Sequence, residues 1–400
     1  GPSTSWTVGE RLYVARQGDA TLDVAAGAEV AAKRIDVGLL SSSVGMITVE
    51  GGGSTVRTDR LVVADRGHGK IEVTGGAKLQ SGVTAVGNYT DGEVAVRGPG
   101  SMWEIHSDHF DVGLRNHSSG TVIIEDGGSL SSKYGNIARF NGSTGNVSVF
   151  GNDSIWRLTE DLIVGVNGRG NLVIEDGGVV DAVYDPVGLG EEQDGEGFIA
   201  VSGGGSRLIT GRLTVGNRGV AALSIEHGGV VTSGWGRIGA GRGSVGKVTV
   251  SGDGTKWINS GRLSIGEFGD GTLEIVGGGL VAIGGALTIA ENDNGTGQIR
   301  LRDGGSLAVL GNGENSLEDY LDLVGGTDAI HVWDGVGWAP IIEADPQDDY
   351  ALAYHESGDL SGLTVLTVRV AVPEPNSMGL LVSVCFASFF RIDRKGGHVH

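Results

Sequence analysis

Twelve β-branched residues keep time along most of this chain, each followed at once by Gly or Ala: Val14, Val37, Val63, Val86, Val112, Ile137, Val164, Val187, Val215, Ile238, Ile265 and Ile289. The steps between them are 23, 26, 23, 26, 25, 27, 23, 28, 23, 27 and 24 residues. A near-fixed period in this range, carried by short β-branched runs, predicts a solenoid that gains one coil per period. The expected fold is all-β: a right-handed parallel β-helix of about twelve coils over residues 1–310.

Each coil carries three inward positions. After Val14 come Leu22 with Val24, then Val30; one coil later come Ile47 with Val49, then Val56. The alternation in Leu22-Asp23-Val24 and Leu273-Glu274-Ile275 has period two, so these are strands with one buried face. Gly-rich turns are expected between the three strands. Glycine, at 75 of 400 residues, stands far above the usual ~7%, because it serves wherever the backbone turns with positive φ. It does not fall at every third position, which excludes collagen, and the 39% of hydrophobic residues is patterned, which excludes disorder. Stacked at ~4.8 Å per coil, the rod should be roughly 55–60 Å long.

Coils also alternate in kind. In odd coils the third inward residue lies six after strand two, as from Val73 to Leu79 or Ile124 to Leu130. In even coils the offset is seven until the last, as from Val96 to Trp103, Val149 to Trp156 and Val250 to Trp257. This points to a two-coil unit of about fifty residues. The tryptophans fall on the inward phase, so they are expected in the core rather than on a sugar-stacking platform.

The ends depart from the period. Ser3-Thr4-Ser5-Trp6 followed by Arg11-Leu12-Tyr13-Val14 matches Gly254-Thr255-Lys256-Trp257 followed by Arg262-Leu263-Ser264-Ile265. The first coil therefore starts midway, and upstream sequence is expected to cover its edge. Residues 311–371 hold apolar runs at Ala329-Ile330-His331-Val332-Trp333 and Thr364-Val365-Leu366-Thr367-Val368, expected as a β-rich cap. Residues 372–400 contain Val372-Pro373-Glu374-Pro375, an apolar run from Met378 to Phe390, and then Arg391, Arg394 and Lys395. As a short helix that run rises only ~20 Å against a bilayer core of ~30 Å. With its flanks it is a marginal span whose basic end would stay cytoplasmic.

This order of motif, apolar run and basic end resembles the PEP-CTERM sorting signal of exported bacterial proteins, with Pro373, Glu374 and Pro375 as the motif. The Gly-rich repeats also look like those of exported PEP-CTERM and autotransporter-type passenger proteins. The resemblance implies export across a Gram-negative type envelope. It also implies processing by an exosortase, transient membrane association through the tail, and a final place on the cell surface or in the extracellular matrix.

The formal charge of −20 argues against nucleic acid as a partner and allows cations, basic partners and neutral glycans. The single cysteine, Cys385, excludes an intrachain disulfide. The string Gly241, Gly243, Gly246 has nucleotide-loop spacing, but Val248-Thr249-Val250 continues it as a strand where a helix would be needed. Glu104, His106, Asp108, His109 and Asp111 form the densest polar cluster and are the candidate metal ligands, set against a solvated turn. Glu125, Glu175 and Glu226 should recur on alternate coils ~9.6 Å apart, too far for a shared ion. The acidic loops Gly188–Gly197 and Glu291–Asn294 could bind Ca²⁺ through oxygen ligands, with simple solvation as the plainer reading.

Three function classes compete. One is an exported structural or adhesive surface protein, with an extracellular polysaccharide as a candidate ligand. A second is a polysaccharide lyase or hydrolase of β-helix type, and a third is a fragment of a larger passenger. The outward residues of strand one, among them Tyr13, Asp36, Asp111, Pro186 and Arg237, place no acid–base pair on adjacent coils. That favours the first class, with no catalytic residue assigned.

Overall fold

The computed structural model describes residues 4–370, apart from 291, 293, 312, 314, 315, 325–328, 334–336 and 347. The chain winds into a β-solenoid of about 12 turns. Its wall consists of one 14-stranded and one 20-stranded sheet. Strand two of each coil, from Asp19–Ala25 to Thr296–Arg302, stacks in parallel in the first sheet. Strand three and the next strand one share the second sheet. They run on as a single bent strand in Glu29–Val37 and Arg207–Val215 and separate into Ile155–Leu158 and Leu162–Val164. The third corner is thus a bend within a sheet rather than the Gly-rich turn expected there. It is marked by register shifts at Val8/Arg11 and Ala182/Pro186.

Elsewhere the coils stack like on like. Val94, Val122, Val147, Leu172, Ile199 and Leu223 are register partners in succession, and none is more than 2% exposed. The period itself has a backbone cause. The residue after strand one is left-handed, with φ of 61° at Ala64, 72° at Gly87 and Gly113, and 58° at Ala138. Only Gly, or at some cost the smallest side chain, suits that corner. A Cβ on Gly87 would lie 2.2 Å from the Ser119 carbonyl oxygen.

One beat moves. Val164 pairs with Leu189, and Leu189 with Val215; Gly190 is the left-handed residue, with φ of 61°. The eighth beat is therefore Leu189, not Val187, and the uneven steps of 23 and 28 become 25 and 26 (164 to 189 to 215). The outward residue of that strand is Gly188 rather than Pro186. Gly188 and Leu189 also leave the acidic loop and join the strand Val179–Leu189.

The two-coil unit follows from hydrogen bonding. The extra turn residue of even coils admits Ser54, Ser101, Ser154, Ser206 or Thr255, all 0% exposed. Their hydroxyl oxygens accept the N–H of Gly27, Gly76, Gly127, Gly177 and Gly228 one coil earlier, at 2.9–3.0 Å. The tryptophans use a second device. Trp103, Trp156 and Trp257 are fully buried, and each indole Nε1–H donates to a serine of the preceding coil, Ser81, Ser132 or Ser233, at 3.0 Å. Where an even coil carries Val56 or Leu208 instead, the matching position is Ala32 or Ala182. The serine is present where there is an indole N–H to satisfy.

The cap closes the last coil. Ile330–Trp333 adds in parallel to Thr296–Arg302, while Leu363–Val368 pairs antiparallel with Ser306–Leu310. Both strands lie where the apolar runs predicted them. The helix Leu317–Leu323 was not expected in a β-rich cap. Ser316 accepts the Asp319 N–H at 3.1 Å as its N-cap, and Tyr320 is driven into the end of the core with its hydroxyl on the Leu307 carbonyl at 3.1 Å. Burial pushes the Tyr320 phenol far above its usual range. The sorting-type tail with Pro373, Glu374, Pro375, Arg391, Arg394 and Lys395, and the short apolar helix expected over Met378 to Phe390, lie outside the described residues. Among the described residues, no helix is long and apolar enough to cross a membrane.

Trp156→Ala is expected to destabilise the rod by ~3–5 kcal/mol, since it empties a packed layer. Ser132→Ala should cost ~1–3 kcal/mol by leaving the indole N–H unsatisfied, yet little in a Trp156→Phe background. Chemical unfolding of the four proteins of this cycle reads the coupling. Equal costs of Ser132→Ala in both backgrounds would show that the hydrogen bond is immaterial.

Candidate functional site

The five candidate metal ligands span the bend between strand three of the fourth coil, Met102–Ile105, and strand one of the fifth, Phe110–Val112, and neighbouring coils draw them apart. Glu104 accepts Gln80 Nε2 at 2.6 Å, with His106 Nε2 3.9 Å away. Asp108 is held by Lys133 Nζ at 2.8 Å, which keeps its carboxyl below the ordinary range. Asp111 is buried and accepts Arg139 Nη1 at 2.8 Å and Asn136 Nδ2 at 3.2 Å. His109 is exposed.

The structure instead brings together three carboxylates on the same edge of the rod, at the seventh and eighth coils. Glu160, Asp161 and Asp185 place one oxygen each within 4.8 Å of one another, the one such group among the described residues. The register explains the convergence. Leu162 pairs with Val187, so the bulge at Ala182/Pro186 delivers Asp185 beside Asp161. Asp185 Oδ2 is shielded from solvent without a hydrogen-bond partner. Burial first, then the charges of Asp185 and Glu160, push the Asp161 carboxyl up, against an opposing pull from Arg212. This oxygen-only set has the chemistry that a hard cation takes. It is not visible in the sequence because Asp185 lies 24 residues beyond Asp161 (161 to 185) and the two meet only through the coil register.

The acidic loop after the eighth beat is spread outward. Glu191 accepts Asn217 Nδ2 at 2.9 Å, Glu192 pairs with Arg218 at 3.0 Å, Asp194 accepts Asn141 Nδ2 at 2.9 Å and Glu196 pairs with Arg169 at 3.3 Å. Each carboxylate is committed to another coil, so these groups diverge instead of enclosing an ion. Of the second loop, Glu291 and Asp293 lie outside the described residues. Glu125, Glu175 and Glu226 occupy the same register place two coils apart. Glu125 pairs with Arg97, and burial with Asp176 pushes the Glu175 carboxyl up.

The fold defines the chain as a parallel β-solenoid with a mixed C-terminal cap. No family model matches it, and no curated protein does. Among solved structures it is similar to a TibC-catalysed, hyper-glycosylated fragment of TibA, residues 55–350. The identity is 15% and the TM-score 0.41, over 77% of this chain and 92% of that one.

Because folding raises the pKa of Asp161, its contribution to stability is fully present below the ordinary carboxylate value and is lost as pH rises through the shifted one. Asp161→Asn should therefore raise the unfolding temperature by a few degrees at neutral pH and lose that advantage below ~pH 4. Millimolar Ca²⁺ should stabilise the parent protein and not the variant. Calorimetry across pH reads both effects; a pH-independent difference would mean that Asp161 carries no unfavourable charge.

Proposed function

We propose that this chain is an exported structural or adhesive rod of a bacterial cell surface or extracellular matrix, facing glycans. The observation that carries the reading is the in-register stack of strand two, unbroken from Asp19–Ala25 to Thr296–Arg302. It repeats the same outward positions at ~4.8 Å intervals over roughly 55–60 Å, a geometry suited to extended ligands or to spacing. Ion pairs along and between coils brace that surface: Lys70 lies 2.9 Å from Glu72 of its own strand and 3.2 Å from Glu93 of the next coil, and Lys247 lies 2.9 Å from Glu274 of the next coil.

The tail supplies the address. Pro373, Glu374 and Pro375 supply the motif that an exosortase-type enzyme would read. Before cleavage the apolar run stays in the inner membrane, with Arg391, Arg394 and Lys395 on the cytoplasmic side. Mass spectrometry of exported protein from a host with an exosortase should find a C-terminus near Pro375. A terminus intact at His400 would rule out processing.

A second reading, a polysaccharide lyase or hydrolase, is favoured by Glu160, Asp161 and Asp185, since carboxylates whose charges oppose one another can share a proton. Incubation with uronate and neutral polysaccharides, with and without Ca²⁺, decides between them. The rod reading expects retention on glycan surfaces and no shorter products. Depolymerisation that is lost in Asp161→Asn, Asp108→Asn or Asp111→Asn would establish the enzyme.

A further inference from the structure

On the face formed by strand one, the outward ladder runs Asp36, Val62, Ala85, Asp111 in register. All four are buried, Asp36 at 0%, Val62 at 2%, Ala85 at 7% and Asp111 at 5% exposed, but the third and fourth coils replace a carboxylate with a shorter apolar group, which lowers the floor of the ladder there. A cleft of about 410 Å³ lies over the dip, with Arg60, His109, Arg115, Arg139 and Phe140 among its walls.

The charges around this cleft are unbalanced. In the second coil, Arg34 and Asp36 form an ion pair at 2.6 Å. In the third coil the same two places hold Arg60 and Val62, so the arginine remains and its acid is gone. The one carboxylate lining the cleft, Asp111, is taken by Arg139 at 2.8 Å. Below, the turn residues three after successive beats form a stack: Arg66, Tyr89, Arg115, Phe140. Arg66 stands 5.8 Å from the Tyr89 ring, and Arg115 stands 5.7 Å from Tyr89 and 5.6 Å from Phe140. The rings orient both guanidinium groups without neutralising them. Arg60, Arg66 and Arg115 have no carboxylate partner among the described residues, a state shared by Arg157 and Arg207 elsewhere on the rod; what sets the three apart is that they gather around one cleft and its ring stack.

From these features we infer that the strand-one face of the third to sixth coils binds an acidic polysaccharide, one carrying carboxylates at intervals along an extended chain. The inference rests on the glycan-facing reading above and narrows it to a charge class and a place. Guanidinium forks match carboxylates in geometry and charge. The half-exposed rings of Tyr89 and Phe140, at 44% and 40%, offer edges for the apolar faces of sugars. Arg66 and Arg115 lie two coils apart, ~9.6 Å along the rod, so the ligand runs parallel to the axis and meets them with alternate units. Nucleic acid, at one charge per ~1.7 Å of duplex, is repelled by a chain of net charge −20. Sparse carboxylates are not, because a cation within the ~8 Å screening length outweighs distant acids.

The test uses the full chain and oligogalacturonates of defined length, with neutral dextran oligomers and single-stranded DNA as comparison probes. Binding is read by calorimetry at two salt concentrations. The parent is compared with Arg60→Ala/Arg115→Ala and with Arg157→Ala/Arg207→Ala, which removes the same charge from exposed places on strand three. Unchanged circular dichroism and unfolding temperature verify folding. The expected result is oligogalacturonate binding that weakens at least tenfold in the cleft variant, weakens with salt, and is retained in the control. Equal affinities in both variants would overturn the inference. Dextran binding without oligogalacturonate binding would overturn it while leaving the glycan-facing rod in place. Binding of no saccharide would remove the glycan-facing reading as well. DNA binding that depends on Arg60 and Arg115 would replace the polysaccharide as occupant.

Discussion

The structure depends on one recurring backbone event, the left-handed residue that ends strand one. At Ala64, Gly87, Gly113 and Ala138 φ lies between 58° and 72°, and this turns each coil at the same place. Strand two then starts against the previous turn so closely that Gly120 has no room for a side chain: a Cβ would sit 2.3 Å from the Val86 carbonyl oxygen. With the corner set, every inward residue falls on its counterpart, and core, polar ladders and outer faces follow from the register. Parallel strands so aligned satisfy one another's amides along the whole rod. This gives a chain without an intrachain disulfide its cohesion.

Such a scaffold separates folding from function. Inward positions stay apolar or keep their polar atoms bonded, as where Trp156 comes with Ser132, Leu208 with Ala182, and the buried Thr58 and Thr210 bond to the carbonyls of Arg60 and Arg212. Outward positions carry no such demand. Replacing the acid of an Arg34–Asp36 pair by Val62 opens a positive cleft without moving the backbone. A two-residue bulge before Pro186 gathers three carboxylates on the same edge of the rod, further along. A negative rod thereby presents one locally basic and one strongly acidic site, several coils apart.

Much of this was legible in the sequence, for physical reasons. Period, inward phase and coil number could be read because each rests on strict alternation and on a residue type that tolerates positive φ. The eighth beat misled, since Val187-Gly188 imitates the signal that Leu189-Gly190 carries and leucine lacks the β-branch being counted. The helix at Leu317–Leu323 was hidden by its brevity, although Ser316 followed by Glu318 and Asp319 is a readable helix start. The densest polar cluster suggests Glu104, His106, Asp108, His109 and Asp111, but it spans the bend between Met102–Ile105 and Phe110–Val112, and Gln80, Lys133 and Arg139 of neighbouring coils each take one of its carboxylates. Glu160, Asp161 and Asp185 converge because the coil, not the local sequence, sets distance. Aligning residues by register before searching for acids would have exposed them.

The in-register stack is open to a direct distance measurement. Thr48, Ser148 and Thr249 occupy the same outward place four coils apart in succession, through Glu72, Ala95 and Ile123, and then through Val173, Ala200 and Ser224. Spin labels on Thr48→Cys/Ser148→Cys and on Thr48→Cys/Thr249→Cys should give narrow distributions near ~19 Å and ~38 Å, a doubling that only a uniform ~4.8 Å rise produces. Broad distributions, or two means not in the ratio of two to one, would contradict the solenoid register on which everything above depends.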